Sequence, residues 1–345
     1  MIDLRSDTVS KPTIEMRNII KNAEVGDDVI GDDFTVKNLE NEAAKITGKE
    51  SALYVPSGTM GNLIALLVHC LIKKVAIVGS ESHILWHEGL GATQFGGIHL
   101  LPVDNASDGT FLHEQLLSII NDSVGKPGVI CLENTHNRCG GSVIDEDYIN
   151  QVSDFAKSIN AAVHMDGARI FNAATALDCN VIDLVKNVDS VSFCFSKGLG
   201  APIGSVLCGS TNFIQQSRSV RRTLGGGMRQ AGIIASAASY ALKNNIKRLK
   251  DDHGNAKLLA GGLSKIKGIY INEKVVQTNI VYFSVKEING DKFVDELNKQ
   301  GLLVSQPKGT QEIRAVTHLN ISSQDIKESL EIISSVTQKL LKVEF

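Results

Sequence analysis

The chain has no surplus of charge of either sign, with 35 Lys and Arg against 38 Asp and Glu and a formal net charge of −3. A global field that would draw it to nucleic acid or an anionic membrane is therefore missing, and a small-molecule partner is favoured. No window holds the ~18 uninterrupted apolar residues of a membrane span. The N-terminal MIDLRSDTVSKP carries an acid at its third residue and no continuous apolar core, which argues against a signal peptide. A soluble, cytoplasmic protein without nucleic-acid or membrane partners is expected. The six cysteines (Cys70, Cys131, Cys139, Cys179, Cys194, Cys208) include no C-x-x-C pair. Without clustered ligands no metal site is expected, and the thiols read as buried and reduced. Internal repeats and low-complexity tracts are also missing.

What is there is an ordinary globular composition, 43% apolar and 21% charged over 345 residues. That length predicts one large domain, drawn here as residues 1–250, and a smaller C-terminal one, 251–345. From about residue 50 to 210, short β-branched or apolar runs alternate with helix-period stretches, the mark of βαβ units and a mostly parallel sheet in an α/β fold. Strands are expected at Val75–Gly79, Ile98–Val103, Val129–Leu132, Ala162–Met165, Ser190–Phe195 and Gly204–Cys208, with a helix over Asp145–Asn160. Gln230–Leu263 reads as one long helical stretch joining the domains. Beyond it, strands at Asn279–Val285 and Glu312–Thr317 and helices at Asp291–Gln300 and Ser323–Val343 suggest a small α/β unit.

Ligands of open α/β sheets collect at the carboxyl ends of strands, and here those ends carry reactive side chains. Asp166 closes one apolar run and Lys197 another, both among small residues. Pyridoxal phosphate (PLP) needs such a pair: a lysine to form a Schiff base, and a carboxylate to keep the pyridine nitrogen protonated so that the ring accepts electrons. The competing reading makes Lys197 a solvated loop residue and Asp166 a cap for the helix beginning ARIFNAA. The apolar, glycine-rich VSFCFSKGLGAPIG around Lys197 favours the cofactor, and desolvation favours the free amine. Phosphate needs free backbone N–H groups at a helix start, and PSGTMGN before an apolar helix provides them, with Gly58 and Thr59 as the ligands. Arg222 and Arg229 read as cations on a mobile glycine loop, either reaching a phosphate, in a neighbouring subunit for instance, or forming a solvated basic turn. His83, after VAIVG, either stacks on the cofactor ring and acts as a base or is merely structural, with Trp86, His87 and Glu88 lining the same mouth.

Taken together, MIDLRSDTVSKP, GDDVIGDD, PSGTMGN, LENTHN, HMDGARIFNA, SKGLGAPIGS, GGGMRQAG and RAVTHLN resemble the L-threonine aldolases of the low-specificity type, over residues 1 to about 320. The resemblance implies fold type I PLP architecture: a large domain with a seven-stranded, mostly parallel sheet, a smaller C-terminal domain, and a homotetramer with active sites shared between subunits. It implies Lys197 as the Schiff-base lysine, Asp166 as the pyridinium partner and His83 as the ring-stacking histidine. Gly58 and Thr59 match phosphate ligands, and Arg222 and Arg229 match cationic ones from a neighbour. Arg169, Arg314 and Ser6 match the groups that hold the substrate carboxylate, Arg169 lying also beside the cofactor. A second active-site histidine of many family members has no counterpart in Asp122–Pro127. The implied reaction is retro-aldol cleavage of a β-hydroxy amino acid, L-threonine or L-allo-threonine, to glycine and acetaldehyde. Another fold type I enzyme, such as a β-eliminating lyase or aminotransferase, shares the Lys/Asp/Arg set. A non-catalytic protein holding a phosphorylated ligand at Ser57–Asn62 is the reading from a different class.

Overall fold

In a computed structural model, residues 1–121, 126–307 and 311–343 are described. Seven strands form the central sheet: β1 Ser51–Val55, β2 Val75–Gly79, β3 His99–Val103, β4 Val129–Glu133, β5 Ala162–Asp166, β6 Ser190–Cys194 and β7 Ser205–Gly209. Their order is β1-β7-β6-β5-β4-β2-β3. All neighbours are parallel except β7, which runs antiparallel to both β1 and β6. Every residue of β2, β4, β6 and β7 is buried, as expected for strands covered on both faces. This is why they read as unbroken apolar runs. Fully burying a side chain such as Ile77 contributes about 1.5–3 kcal/mol, and Ile77 is part of the largest apolar core. The sheet ends at β3, and there Pro102 is tolerated because an edge strand can dispense with an N–H that faces away from its neighbour.

Two expectations need correction. Gln230–Leu263 is two helices, Gly232–Asn244 and Leu249–Leu263, because the chain turns over residues 245–248 where Asn245 Nδ2 donates to the Leu199 carbonyl. Of the six thiols, Cys139 and Cys179 are only partly buried, each lying in a loop outside the strands. The strand β1 had no separate signal in the sequence. A second core gathers Ala256 to Leu340 around the antiparallel strands Ile280–Val285 and Glu312–Val316. Ile2 and Leu4 are part of that core, and Ile2–Asp3 pairs in parallel with Leu302–Leu303. The N-terminal arm thus packs on the C-terminal residues and delivers the next few side chains to the sheet's carboxyl edge. Among the described residues, no helix is long and apolar enough to cross a membrane.

Candidate active site

Register brings three polar residues side by side at the carboxyl ends of adjacent strands: Glu133 pairs with Asp166, and Asp166 with Ser192. Asp166 is 3% exposed. Its Oδ2 accepts from Asn62 Nδ2 at 2.9 Å and its Oδ1 from the Ala168 N–H at 3.1 Å. It caps no helix, since the following helix spans Ile170–Leu177 with Arg169 at its cap position. Four other buried carboxylates face arginines: Asp7 with Arg169, Asp28 with Arg221, Glu40 with Arg218 and Asp252 with Arg248. Among the described residues Asp166 accepts hydrogen bonds from neutral donors only, so a cationic ring nitrogen would supply the partner that a buried carboxylate requires.

Lys197 lies on the bend between β6 and β7. No hydrogen bond or ion pair engages its Nζ among the described residues, and its charge is felt at both Asp7 and His83, which places it near each. Gly204 on the same bend has φ +107°, and a side chain there would strike the Tyr54 ring. Across the bend, the helix Gly58–His69 begins with Ser57 as its cap, the Ser57 hydroxyl accepting from Met60 N–H at 3.2 Å. The N–H groups of Gly58 and Thr59 have no acceptor among the described residues, as the first turn of a helix requires. A Cβ at Gly58 would stand 2.9 Å from Cys194 Sγ, so only glycine lets this turn approach β6. An unengaged lysine side chain, a buried carboxylate hydrogen-bonded only by neutral groups and a cradle of open N–H groups, all among the described residues, fit PLP.

His83 follows β2 and precedes a wide, π-helical turn over Ile84–Glu88, a geometry often found at functional sites. Its backbone N–H donates to Glu133 Oε2 at 2.7 Å, and its Nδ1 meets Glu88 Oε1 at 2.7 Å. Burial works to lower the imidazole pKa, but the Glu88 hydrogen bond and the nearby Asp166 charge outweigh it, and His83 titrates above its ordinary 6.5. Because Glu88 takes the Nδ1 proton, the lone pair of neutral His83 lies on Nε2. His83, Glu88 and Asp166 place one ligand atom each within 4.8 Å of one another. The His83–Glu88 hydrogen bond and Asn62 Nδ2, which reaches both carboxylates, account for that closeness.

The residues expected to hold a substrate carboxylate come from three segments. Arg169 donates from Nε and Nη2 to the two oxygens of Asp7 at 2.6 and 2.7 Å, both residues being buried. Arg314 donates from Nη2 to Asn137 Oδ1 at 3.0 Å, while its buried Nε has no partner among the described residues. Burial and then the neighbouring Arg169 charge lower the Arg314 pKa, so an anion placed beside it would favour its charged form. Ser6 Oγ accepts from the Thr8 N–H at 3.2 Å and caps the short turn Asp7–Val9. Asp7 itself escaped the sequence reading, because nothing local to MIDLRSD signals a partner 162 positions away.

Burial opposes charge on Asp7, yet Arg169 overcomes it and holds the carboxyl well below the usual carboxylate range. Asp7→Asn is expected to destabilise the fold by about 2–3 kcal/mol, less than the ~3–5 of a full deletion because the amide oxygen still accepts one N–H. Urea unfolding measures this. Since the folded-state pKa is depressed, the contribution is complete above 3.8 and fades as pH falls below it. The deficit should therefore shrink in acid.

The two remaining cations differ from expectation. Arg222 is on the last turn of the helix Thr211–Thr223 and not on the glycine loop, because that helix runs on to Thr223. It is exposed and has no acceptor among the described residues. Arg229 is exposed and pairs with Asp27 at 3.0 Å. Residues 122–125, where a second histidine was sought, lie outside the described residues. Sequence reasoning had placed Glu88 at the mouth but gave no role to Asn62, which stood in plain view within PSGTMGN.

Residues 3–286 match the family described as Beta-eliminating lyase. The chain belongs to this family. Within the family, it is 45% identical to "Low-specificity L-threonine aldolase 1" of Arabidopsis thaliana, with 95% of this chain and 94% of that one aligned. It is 40% identical to the "Low specificity L-threonine aldolase" of Escherichia coli strain K12, over 95% and 97% of the two chains. The solved threonine aldolase of Leishmania major superposes with a TM-score of 0.82 at 18% identity, covering 98% of this chain and all of that one. At that identity the superposition speaks for the fold alone, and it agrees with the fold type I arrangement of this lyase-family chain.

Proposed function

We propose that this chain is a PLP-dependent L-threonine aldolase of low specificity, cleaving L-threonine and L-allo-threonine to glycine and acetaldehyde. The observation that carries the reading is Asp166, a buried carboxylate without a cation, set at the same sheet edge as the free amine of Lys197. Full-length identity to the two named aldolases supports the substrate. The decisive experiment incubates the purified, PLP-loaded protein with L-threonine and identifies products. Glycine with acetaldehyde supports the reading, whereas pyruvate with ammonia, or a keto acid, assigns the site to a β-eliminating lyase or an aminotransferase.

Bound PLP would supply an electron sink for the pair released when the Cα–Cβ bond breaks. Lys197 would hold it by its amine, Asp166 by the ring nitrogen, His83 by its ring face, and Gly58 and Thr59 by the phosphate. Arg314, through its free Nε, and Ser6 would take the substrate carboxylate. Arg169, fixed by Asp7, would contribute its remaining Nη1 to the same charge. Neutral His83, its Nδ1 proton directed at Glu88, would accept the β-hydroxyl proton at Nε2, and a proton returned to Cα completes glycine. Asp166→Ala is expected to weaken PLP binding and slow cleavage about a hundredfold, with Asp166→Glu milder, because a charge-assisted hydrogen bond of this kind is worth roughly 1.5–3 kcal/mol. Equal, small losses in both, read by PLP titration and rate, would demote Asp166.

Residues 1–250 would form the cofactor-binding domain and 251–345 the small one; in support, one apolar core lies within 256–340 apart from Ile2 and Leu4 of the N-terminal arm. We place the protein in the cytoplasm as a homotetramer with shared sites. Ile14, Ile30 and Phe34, each more than two-thirds exposed, offer apolar surface for a neighbour, and Arg222 and Arg229 would reach that neighbour's phosphate. Activity per subunit should then fall on dilution as the assembly dissociates. A fully active monomer, seen by sedimentation at assay concentration, would remove the sharing.

A further inference from the structure

Behind Asp166 a line of hydrogen bonds runs away from the site into the core. Asn62, 1% exposed, touches four groups. Its Nδ2 lies 2.9 Å from Asp166 Oδ2 and 3.2 Å from Glu88 Oε2, and its Oδ1 lies 2.6 Å from Ser192 Oγ and 3.0 Å from His164 Nε2. Ionised carboxylates only accept, so the end of the amide facing them must be the NH₂. Every later step follows from that. His164 Nε2 faces the amide oxygen and must carry a hydrogen. His164 is fully buried, and desolvation drives its pKa down to about 3, so it is neutral and its Nδ1 is bare. Nδ1 therefore accepts from the Ser190 hydroxyl at 2.8 Å. The Ser190 oxygen in turn accepts from His69 Nε2, also at 2.8 Å. Burial lowers His69 to about 4, and its ring stacks on Phe213 with centroids 4.5 Å apart. All donors point one way, toward the two carboxylates.

We propose that Asn62 is a positioning residue, aimed by the chain His69–Ser190–His164, that presents its amide hydrogens to Asp166 and Glu88 together and so couples the pyridine-nitrogen partner to the residue orienting His83. The proposal rests on the PLP reading above. One amide hydrogen goes to the carboxylate assigned to the ring, the other to the carboxylate that holds the His83 Nδ1 proton. Neither histidine in the chain is basic enough to deliver a proton from behind. The carboxylates thus keep a fixed acceptor geometry whichever way His83 titrates. Ser192 adds a second hydroxyl on the amide oxygen, so losing His164 alone would leave Asn62 half-anchored.

The test uses the PLP-loaded protein with ¹⁵N-labelled histidine. Nuclear magnetic resonance should find His164 neutral with its hydrogen on Nε2 from pH 5 to 8, a window set by roughly the ordinary histidine range. A hydrogen on Nδ1, or a His164 that protonates in that range, would reverse the amide and overturn the proposal. Asn62→Leu, similar in size but unable to donate, should weaken PLP binding about tenfold or more and change the visible spectrum of the bound cofactor. Wild-type affinity and spectrum in that variant would also overturn it. Ser190→Ala, which touches neither carboxylate, should alter the His164 resonances and shift the cofactor spectrum in the same direction but less. If it alters the resonances and leaves the spectrum untouched, the chain does not reach the site and the proposal fails. Should wild-type protein bind no PLP at all, the functional reading fails instead, and the two failures are told apart by that control.

Discussion

Lys197→Ala should lose at least about 10³-fold in threonine cleavage, the middle of the range that a single proton-transfer group contributes, because this residue both anchors the cofactor and sets its orientation. The loaded mutant should also lack the visible band of a lysine-bound cofactor and yield no borohydride-fixed adduct. The expectation rests on position: the amine stands unengaged on the bend after β6, within electrostatic reach of Asp7 and His83. Another lysine would have to reach the same edge to substitute. A borohydride-fixed adduct in natively folded mutant protein would assign the Schiff base to that other lysine. Mass mapping of the adduct would say which.

His83→Phe should separate two roles that one residue combines. Stacking on the ring needs only an aromatic face, so PLP should remain bound. Base catalysis needs the Nε2 lone pair, and its loss should slow cleavage about 10²- to 10⁴-fold. The pH dependence follows from the raised imidazole pKa. A base works deprotonated, so wild-type activity should rise with pH through a midpoint above 6.5, the ordinary value from which His83 is displaced. Glu88→Gln removes a cause of that displacement and should move the acid limb to lower pH. A His83→Phe loss below tenfold, with an unchanged profile, would assign the proton to a water instead. Thr135 Oγ1 and both His136 ring nitrogens, buried at the end of β4 without a protein partner among the described residues, could hold one.

Much of this site was legible in the sequence because strand ends are local features. Asp166, Lys197 and His83 each follow an apolar run, and a parallel sheet buried on both faces makes such runs conspicuous. PSGTMGN announced its helix start through serine and glycine, although the helix begins at Gly58 and not at the apolar Leu63. What stayed hidden depends on contacts between distant segments. The Asp7–Arg169 pair joins the N-terminal arm to the end of β5, and no periodicity reports it. The break at residues 245–248 sits in a sequence with good helix formers on both sides, and it arises from packing against the bend near Leu199. The role of Asn62 is equally invisible, since one asparagine in a helix is usually a solvated or core-satisfied residue. Only its four partners, from β5, β6 and the turn after β2, reveal it.

The reversed strand β7 bears on how freely the reactive lysine can move. Because β6 and β7 are antiparallel neighbours, the segment from Phe195 to Gly204 is pinned at its base, with the Phe195 N–H donating to Gly204 O at 3.0 Å and the Ala201 N–H to Phe195 O at 2.9 Å. The Gly200 N–H closes a tighter turn onto Lys197 O at 2.8 Å. The backbone is therefore a fixed pivot, and any swing of the amine between cofactor and solvent must come from rotation about the four-carbon stem. Such rotations in unhindered side chains take picoseconds to nanoseconds, far faster than loop rearrangement. In exchange measurements, the hydrogen-bonded amides of Phe195, Gly200 and Ala201 should exchange slowly while the Lys197 Nζ moves freely, an arm working from a clamped shoulder.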